Sequence, residues 1–270
     1  LKGYAYFEEP VAAKVDGDWQ CTWNVPRGRV DMHFIGEPDS EVIFATTPKG
    51  AAKLPTAMIR RKAKHTVYAC GMDIVPKEIE PGQRPEDAPD GEATVKSVRK
   101  VQAGTDGYGL LSELIDGGSE VLLVNNTDKS VTLGDWTTDA RAAFVQRNAD
   151  GEVTAFYLAG GSRLSGSGGV KIAATEPTLL AYRTLKDGLA ELANQGEQAT
   201  SLQIAGLAPA DRFYRLARDG SRAEQLDAKA RDGACRLAAV QPYTSYELAR
   251  GDQPTVVEHE KKVRREKIER

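Results

Sequence analysis

Histidine, cysteine and long apolar runs are what this sequence has least of, and each shortage closes off a class of function. Only three histidines are present, His33, His65 and His259, and none stands in an HxH or HExxH spacing. A zinc centre needs three or four N, S or O donors converging on one point, so neither a protein-only metal site nor a cofactor is expected. The three cysteines, Cys21, Cys70 and Cys235, are far apart and form no CxxC pair. That excludes a zinc knuckle and a dense disulfide framework, and free thiols are expected. A Cys21–Cys70 bridge is the alternative in an oxidising compartment, since both lie in strand-like segments of the same half. No apolar run approaches the ~20 residues that span a bilayer, and no charged-then-apolar leader precedes Leu1. The chain opens inside a strand-like run, Tyr4-Ala-Tyr-Phe7, so an upstream part is expected.

Charge of one sign is also lacking. With 36 basic and 39 acidic residues the net charge is -3, too little positive field to draw in nucleic acid. The glycines of Gly160-Gly161 and Gly166-Ser-Gly-Gly169 lack the GxxxxGK[ST] pattern of a phosphate loop. No Gly-x-Ser-x-Gly elbow stands with plausible partners, so a serine hydrolase is not supported either.

What is present is strand after strand. The hydrophobic share, 40% of 270 residues, can fill a large β core. Short alternating segments follow one another: Trp19–Val25, Arg29–Ile35, Glu41–Ala45, Thr56–Arg60 and His65–Cys70, punctuated by Pro26-Arg-Gly28, Gly36-Glu-Pro-Asp39 and Pro48-Lys-Gly50. In Val30–Ile35 the alternation predicts that Met32 and Phe34 face a core while Asp31 and His33 face water. The proline-rich, acidic stretch Pro76–Pro89 reads as an exposed loop. Strands resume at Ala93–Val101, Ser119–Val124, Ser130–Leu133, Arg141–Gln146 and Val153–Leu158. Between the last two, Asn148-Ala149-Asp150-Gly151 suits a type I turn closed by glycine in the left-handed region.

Beyond the glycine- and serine-rich run 162–169 the reading divides. Leu179, Tyr182, Leu185, Leu189 and Leu192 have helical spacing, yet Asp187-Gly188 between them is a hairpin signal and Ser201–Ile204 alternates. Residues 257–270 are charged with sparse apolar positions, as in a solvated helix or tail. The expected fold class is therefore all-β, an antiparallel β-sandwich of two layers or subdomains. A β domain over 1–175, a smaller β subdomain over 176–256 and a charged tail over 257–270 are expected.

Chemistry-bearing residues are few. Arg60-Arg61-Lys62-Ala63-Lys64-His65 is the densest basic cluster before the tail. Arginine's planar fork matches a carboxylate, so Arg60, Arg61 and Lys64, with His65 and His33, are the candidate contacts to an anionic polysaccharide. The competing reading is a solvated hairpin tip and two sheet-surface histidines. Trp19, Trp23 and Trp136 are expected in the core, or on sugar rings if exposed. Asn125-Asn126-Thr127 fits the N-glycosylation pattern.

Taken together, Glu37–Phe44, Ala57–Ala69, Val121–Asn125, Thr138–Arg147 and Gly161–Leu164 resemble the C-terminal β-sheet region of heparinase II/III-like polysaccharide lyases, over roughly Val30 to Ile172. The resemblance lies in strand patterns and turn residues, not in a catalytic motif. It implies a β part that packs against an N-terminal (α/α) toroid catalytic domain, in a periplasmic or secreted bacterial lyase that cleaves uronic-acid glycans by β-elimination. The toroid is absent from this chain, and no stretch matches the surroundings of the family's β-domain histidine, so no catalytic residue is carried over. A free-standing carbohydrate-binding or structural sandwich is the alternative.

Overall fold

In the computed structural model, residues 7–49, 52–64, 66–103, 105–185, 189–205, 212–226, 228–231 and 234–249 are described. The fold is all-β with antiparallel pairing throughout. Two single turns of 3-10 helix, Pro85–Asp87 and Ser167–Gly169, are the helical structure among the described residues. His65, His259, Asp187-Gly188 and the 257–270 tail lie outside them.

The chain divides into two compact units, Leu1–Arg99 with Ser112–Ile115, and Lys100–Leu111 with Asp116–Arg270. The boundary expected at 175/176 falls instead inside one continuous strand, Lys171–Thr184.

The first unit holds two small sheets. Strands β1 (Glu8–Val15), β4 (Ser40–Lys49) and β5 (Ala52–Arg61) pair in the order β1-β4-β5, and β2 (Trp19–Val25), β3 (Gly28–Phe34) and β6 (Cys70–Pro76) in the order β2-β3-β6. Two punctuation signals behave differently from expectation. Pro48 sits within β4, past the last β1 pairing at Thr46, where among the described residues β4 pairs on one side only, with β5, and a missing N–H is tolerated. The strand expected over His65–Cys70 begins only at Cys70, because the Val67 carbonyl accepts from Arg61 Nη1 at 2.9 Å.

The β2-β3-β6 sheet corrects the expected exposure of Asp31 and His33. Met32 is buried, but so are Asp31 and His33, 6% and 9% exposed. The polar side is covered as well, because its carboxylates find partners there. Asp31 accepts from Thr22 Oγ1 at 2.6 Å and Arg29 Nε at 2.9 Å. Asp73, on the neighbouring strand, accepts from the Thr94 amide at 2.6 Å, the Thr94 hydroxyl at 2.8 Å and the Val95 amide at 2.9 Å. Burial pushes both carboxyls up, but these hydrogen bonds outweigh it and hold them below the usual carboxylate range.

A larger sheet holds the remaining strands. Its strands are β7 (Val95–Ala103), β8 (Gly107–Leu114), β9 (Ser119–Asn125), β10 (Val131–Leu133), β11 (Trp136–Thr138), β12 (Ala142–Arg147), β13 (Val153–Ser165), β14 (Lys171–Thr184), β15 (Ala190–Asn194), β16 (Thr200–Ala205), β17 (Arg212–Leu216), β18 (Arg222–Leu226), β19 (Ala228–Arg231), β20 (Ala234–Val240) and β21 (Thr244–Ala249). The main path is β18-β17-β21-β15-β14-β13-β12-β9-β8-β7. The two longest strands leave it part-way: the end of β13 pairs with β11, and the start of β14 pairs with β16, which continues to β20 and β19. Leu123, Phe156, Leu158, Leu180 and Leu192 of the main path share one buried cluster with Leu202, Ile204 and Leu237 of the branch. This is how a strand that changes sheets makes the corner of a sandwich.

The corner is specified locally. Gly160 has φ 67°, open to glycine without strain, and a Cβ on Gly161 would stand 2.3 Å from Ala140 Cα. Asp139 fixes the bend by accepting from the Ser162 and Arg163 amides at 2.8 and 2.7 Å and from the Ser162 hydroxyl at 2.7 Å. The Leu179–Leu192 segment is a strand pair, not a helix, with Leu180, Tyr182, Ala190 and Leu192 inward. The Asn148–Gly151 turn forms as expected: Gly151 has φ 81° and its amide donates to the Asn148 carbonyl at 3.0 Å. Asn125, by contrast, is 5% exposed and its amide nitrogen donates to the Lys129 carbonyl, which makes it a loop-building residue and a poor glycan acceptor.

Candidate functional site: a charged cleft on the β1-β4-β5 sheet

A charged cleft in the first unit encloses about 660 Å³. Lys14 and Asp16 reach it from β1 and the loop after it, Asp39 to Glu41 from the start of β4, and Arg60 to Lys62 from the end of β5. The register explains the grouping. Lys14, Glu41 and Arg60 stand in one row across three strands, and Val15, Ser40 and Arg61 in the next. Residues directly opposite share a sheet face, so one acidic side chain stands between two basic ones. Counting its charged lining, four basic side chains face three acidic ones, leaving one positive charge in excess.

The two arginines differ in what they are free to do. Arg61 is a latch: Nε donates to Ser40 Oγ at 2.7 Å, Nη1 donates to Thr66 Oγ1 at 2.6 Å as well as to the Val67 carbonyl, and the guanidinium lies 4.7 Å from the Tyr68 ring centre. Arg60 pairs with Glu41, and about half of its side chain remains in water. Such a pair is exchangeable, because an exposed ion pair contributes ~0–1 kcal/mol. Lys14 and Lys62 are exposed.

The sequence-based set is therefore only partly assembled. Arg60 and Arg61 line the cleft; Lys64 is exposed beside it without lining it. His33 sits on the other sheet, on the covered side with Asp31, and its Nε2 is buried without a hydrogen-bond partner. The expected solvent-facing role for His33 is thus corrected, and His65 lies outside the described residues. Lys14, Asp16, Asp39 and Glu41 are absent from the sequence-based set, since only the pairing of β4 with β1 and β5 brings them to the arginines. A hint was available in the alternation of Ala13-Lys14-Val15-Asp16, which puts both charges on one side of a strand.

A second cavity, about 270 Å³, lies on β14 and β15, where Arg183 is already held by Glu191 through Nε at 2.9 Å and Nη2 at 2.8 Å. Among the described residues no group of three His, Cys, Asp or Glu side chains is arranged to hold a metal ion. No family model matches the chain, and no curated protein matches it significantly.

Proposed function

We propose that this chain is the β-sheet part of a polysaccharide lyase acting on a uronic-acid glycan, and that it holds the glycan without itself performing the elimination. The observation that carries this reading is the cleft at which Lys14, Arg60, Arg61 and Lys62 gather around one end of a sheet. Carboxylates spaced along a polyuronate can exchange with Glu41 on Arg60 and meet the two exposed lysines. Each such contact is worth on the order of 1 kcal/mol or less and is screened by salt, so affinity accumulates over repeats of the polymer. β-Elimination further needs a base for the C5 proton and an acid for the leaving oxygen. Those groups fall to the (α/α) toroid that the family resemblance implies as partner.

The test uses the purified chain with alginate and heparin. Retention in affinity electrophoresis is expected at low salt and lost at high salt. The Lys14→Ala/Lys62→Ala double variant should lower retention several-fold with an unchanged melting temperature. Retention equal to the parent's would remove the glycan from this cleft. Ultraviolet absorbance from unsaturated uronate, produced by the chain alone, would overturn the non-catalytic assignment.

A further inference from the structure

Tyr68 is 54% exposed, on the segment between β5 and β6 that runs past the charged cleft. What separates it from a stray surface aromatic is that its backbone is pinned on both sides. Arg61 Nη1 donates to Thr66 Oγ1 at 2.6 Å and to the Val67 carbonyl at 2.9 Å, and the Ala69 carbonyl accepts from the Ile35 amide at 3.1 Å. The ring itself lies against the Arg61 guanidinium, with Cζ 4.7 Å from the ring centre. That cation occupies one face. With more than half of the residue in water, the opposite face is left open. Arg61 meanwhile lines the cleft and donates through Nε to Ser40 Oγ at 2.7 Å, so a single guanidinium joins the ring to the cleft wall.

We propose that Tyr68 is a stacking platform for one sugar ring of the glycan held in the cleft, and that it selects uronates whose linkages leave equatorially. The inference rests on the reading of the cleft as a polyuronate site. A pyranose with equatorial linkages, as in β-mannuronate or β-glucuronate, turns its axial hydrogens at C1, C3 and C5 to one side. Those hydrogens can lie flat on the electron-rich face of an aromatic ring. α-Guluronate is linked through axial oxygens, presents oxygen on both sides and approaches the ring less closely. Because Arg61 and the pinned backbone already hold the tyrosine, little rotamer freedom is lost when the sugar arrives. Carboxylates of neighbouring sugars remain available to Arg60 and Lys62. The two contributions differ in their response to salt: the ionic contacts are screened, whereas a stack of neutral surfaces is not.

The experiment measures retention of the full chain in affinity electrophoresis on polymannuronate and polyguluronate, whose sugars are C5 epimers of equal charge. The parent should prefer polymannuronate. Tyr68→Leu, an exposed change that keeps an apolar side chain but not a flat ring, should lower retention on polymannuronate about fivefold and leave that on polyguluronate unchanged, with an unaltered melting temperature. Tyr68→Phe should bind like the parent. The parent-to-variant ratio for Tyr68→Leu should hold as salt rises, whereas the ratio for Lys62→Ala should shrink toward unity. Equal retention of Tyr68→Leu and the parent on polymannuronate overturns this inference while the cleft reading stands. So does an equal loss on both polymers, which would assign the ring to holding Arg61. A Tyr68→Phe loss as large as that of Tyr68→Leu would place the contact on the hydroxyl and overturn the stack. A parent retained on neither polymer overturns both readings.

Discussion

Arg222 and Glu247 meet in the second unit with the carboxylate fully buried: both Nε and Nη2 of Arg222 lie 2.7 Å from Glu247 Oε1, and the guanidinium also stacks 4.2 Å from the Tyr214 ring centre. Removing the cation takes two short charge-assisted hydrogen bonds away from a buried carboxylate. Arg222→Ala is expected to destabilise by about 3–5 kcal/mol in chemical denaturation. Arg222→Met with Glu247→Leu should recover most of that loss, because the desolvated pair is replaced by apolar packing. A double variant as unstable as Arg222→Ala would show that the pair's geometry matters beyond its charge.

Acid should weaken the first unit through Asp31 and Asp73. Their folded carboxyls titrate below the ordinary range, so their contribution is complete above the unfolded-state value and is lost as pH falls through the folded one. Melting temperature followed from neutral pH into acid should fall across that window. Asp73→Asn should be less stable at neutral pH and show a shallower acid slope.

The Asn148–Gly151 turn predicts an order of substitutions. Gly151→Val forces a β-branched side chain to φ 81°, at a cost of about 1–3 kcal/mol even though open space surrounds the missing Cβ. Asp150→Asn should change stability by less than about 0.5 kcal/mol. Denaturation midpoints of the two variants, compared at equal slope, check the order.

Within the basic cluster, stability and binding should separate. Arg61→Ala removes hydrogen bonds to Ser40, Thr66 and Val67 and should lower the melting temperature by several degrees. Lys62→Ala should leave it unchanged. An Arg61→Ala variant that melts like the parent would show that the latch is dispensable.

Much of this architecture is legible in the sequence, and where it is not the reason is register. Trp19–Val25 and Ser119–Val124 alternate cleanly and form strands, and Asn148–Gly151 carries its own turn chemistry. Gly107–Leu114 was not legible as a strand, because residues 107–110 are all buried and alternation disappears when both sides of a strand are covered. Alternation sets Asp31 and His33 on one side of β3 without saying whether that side is covered; the Thr94 and Val95 groups that satisfy Asp73 on that same side come from beyond the proline-rich loop. The cleft was half legible for the same reason. Arg60 and Arg61 are adjacent in sequence, but Lys14 and Glu41 join them only through the pairing of β1, β4 and β5.

The two long strands β13 and β14 have a further consequence for how the second unit comes apart. Each spends its length in both layers, so neither layer can be peeled away while the other keeps its hydrogen bonds. Fraying is confined to the outer strands, and loss of the shared pair ends both layers at once. Amide exchange should accordingly place Leu158, Leu164, Ile172 and Leu180 in a single slowest-exchanging group, opening together only with global unfolding.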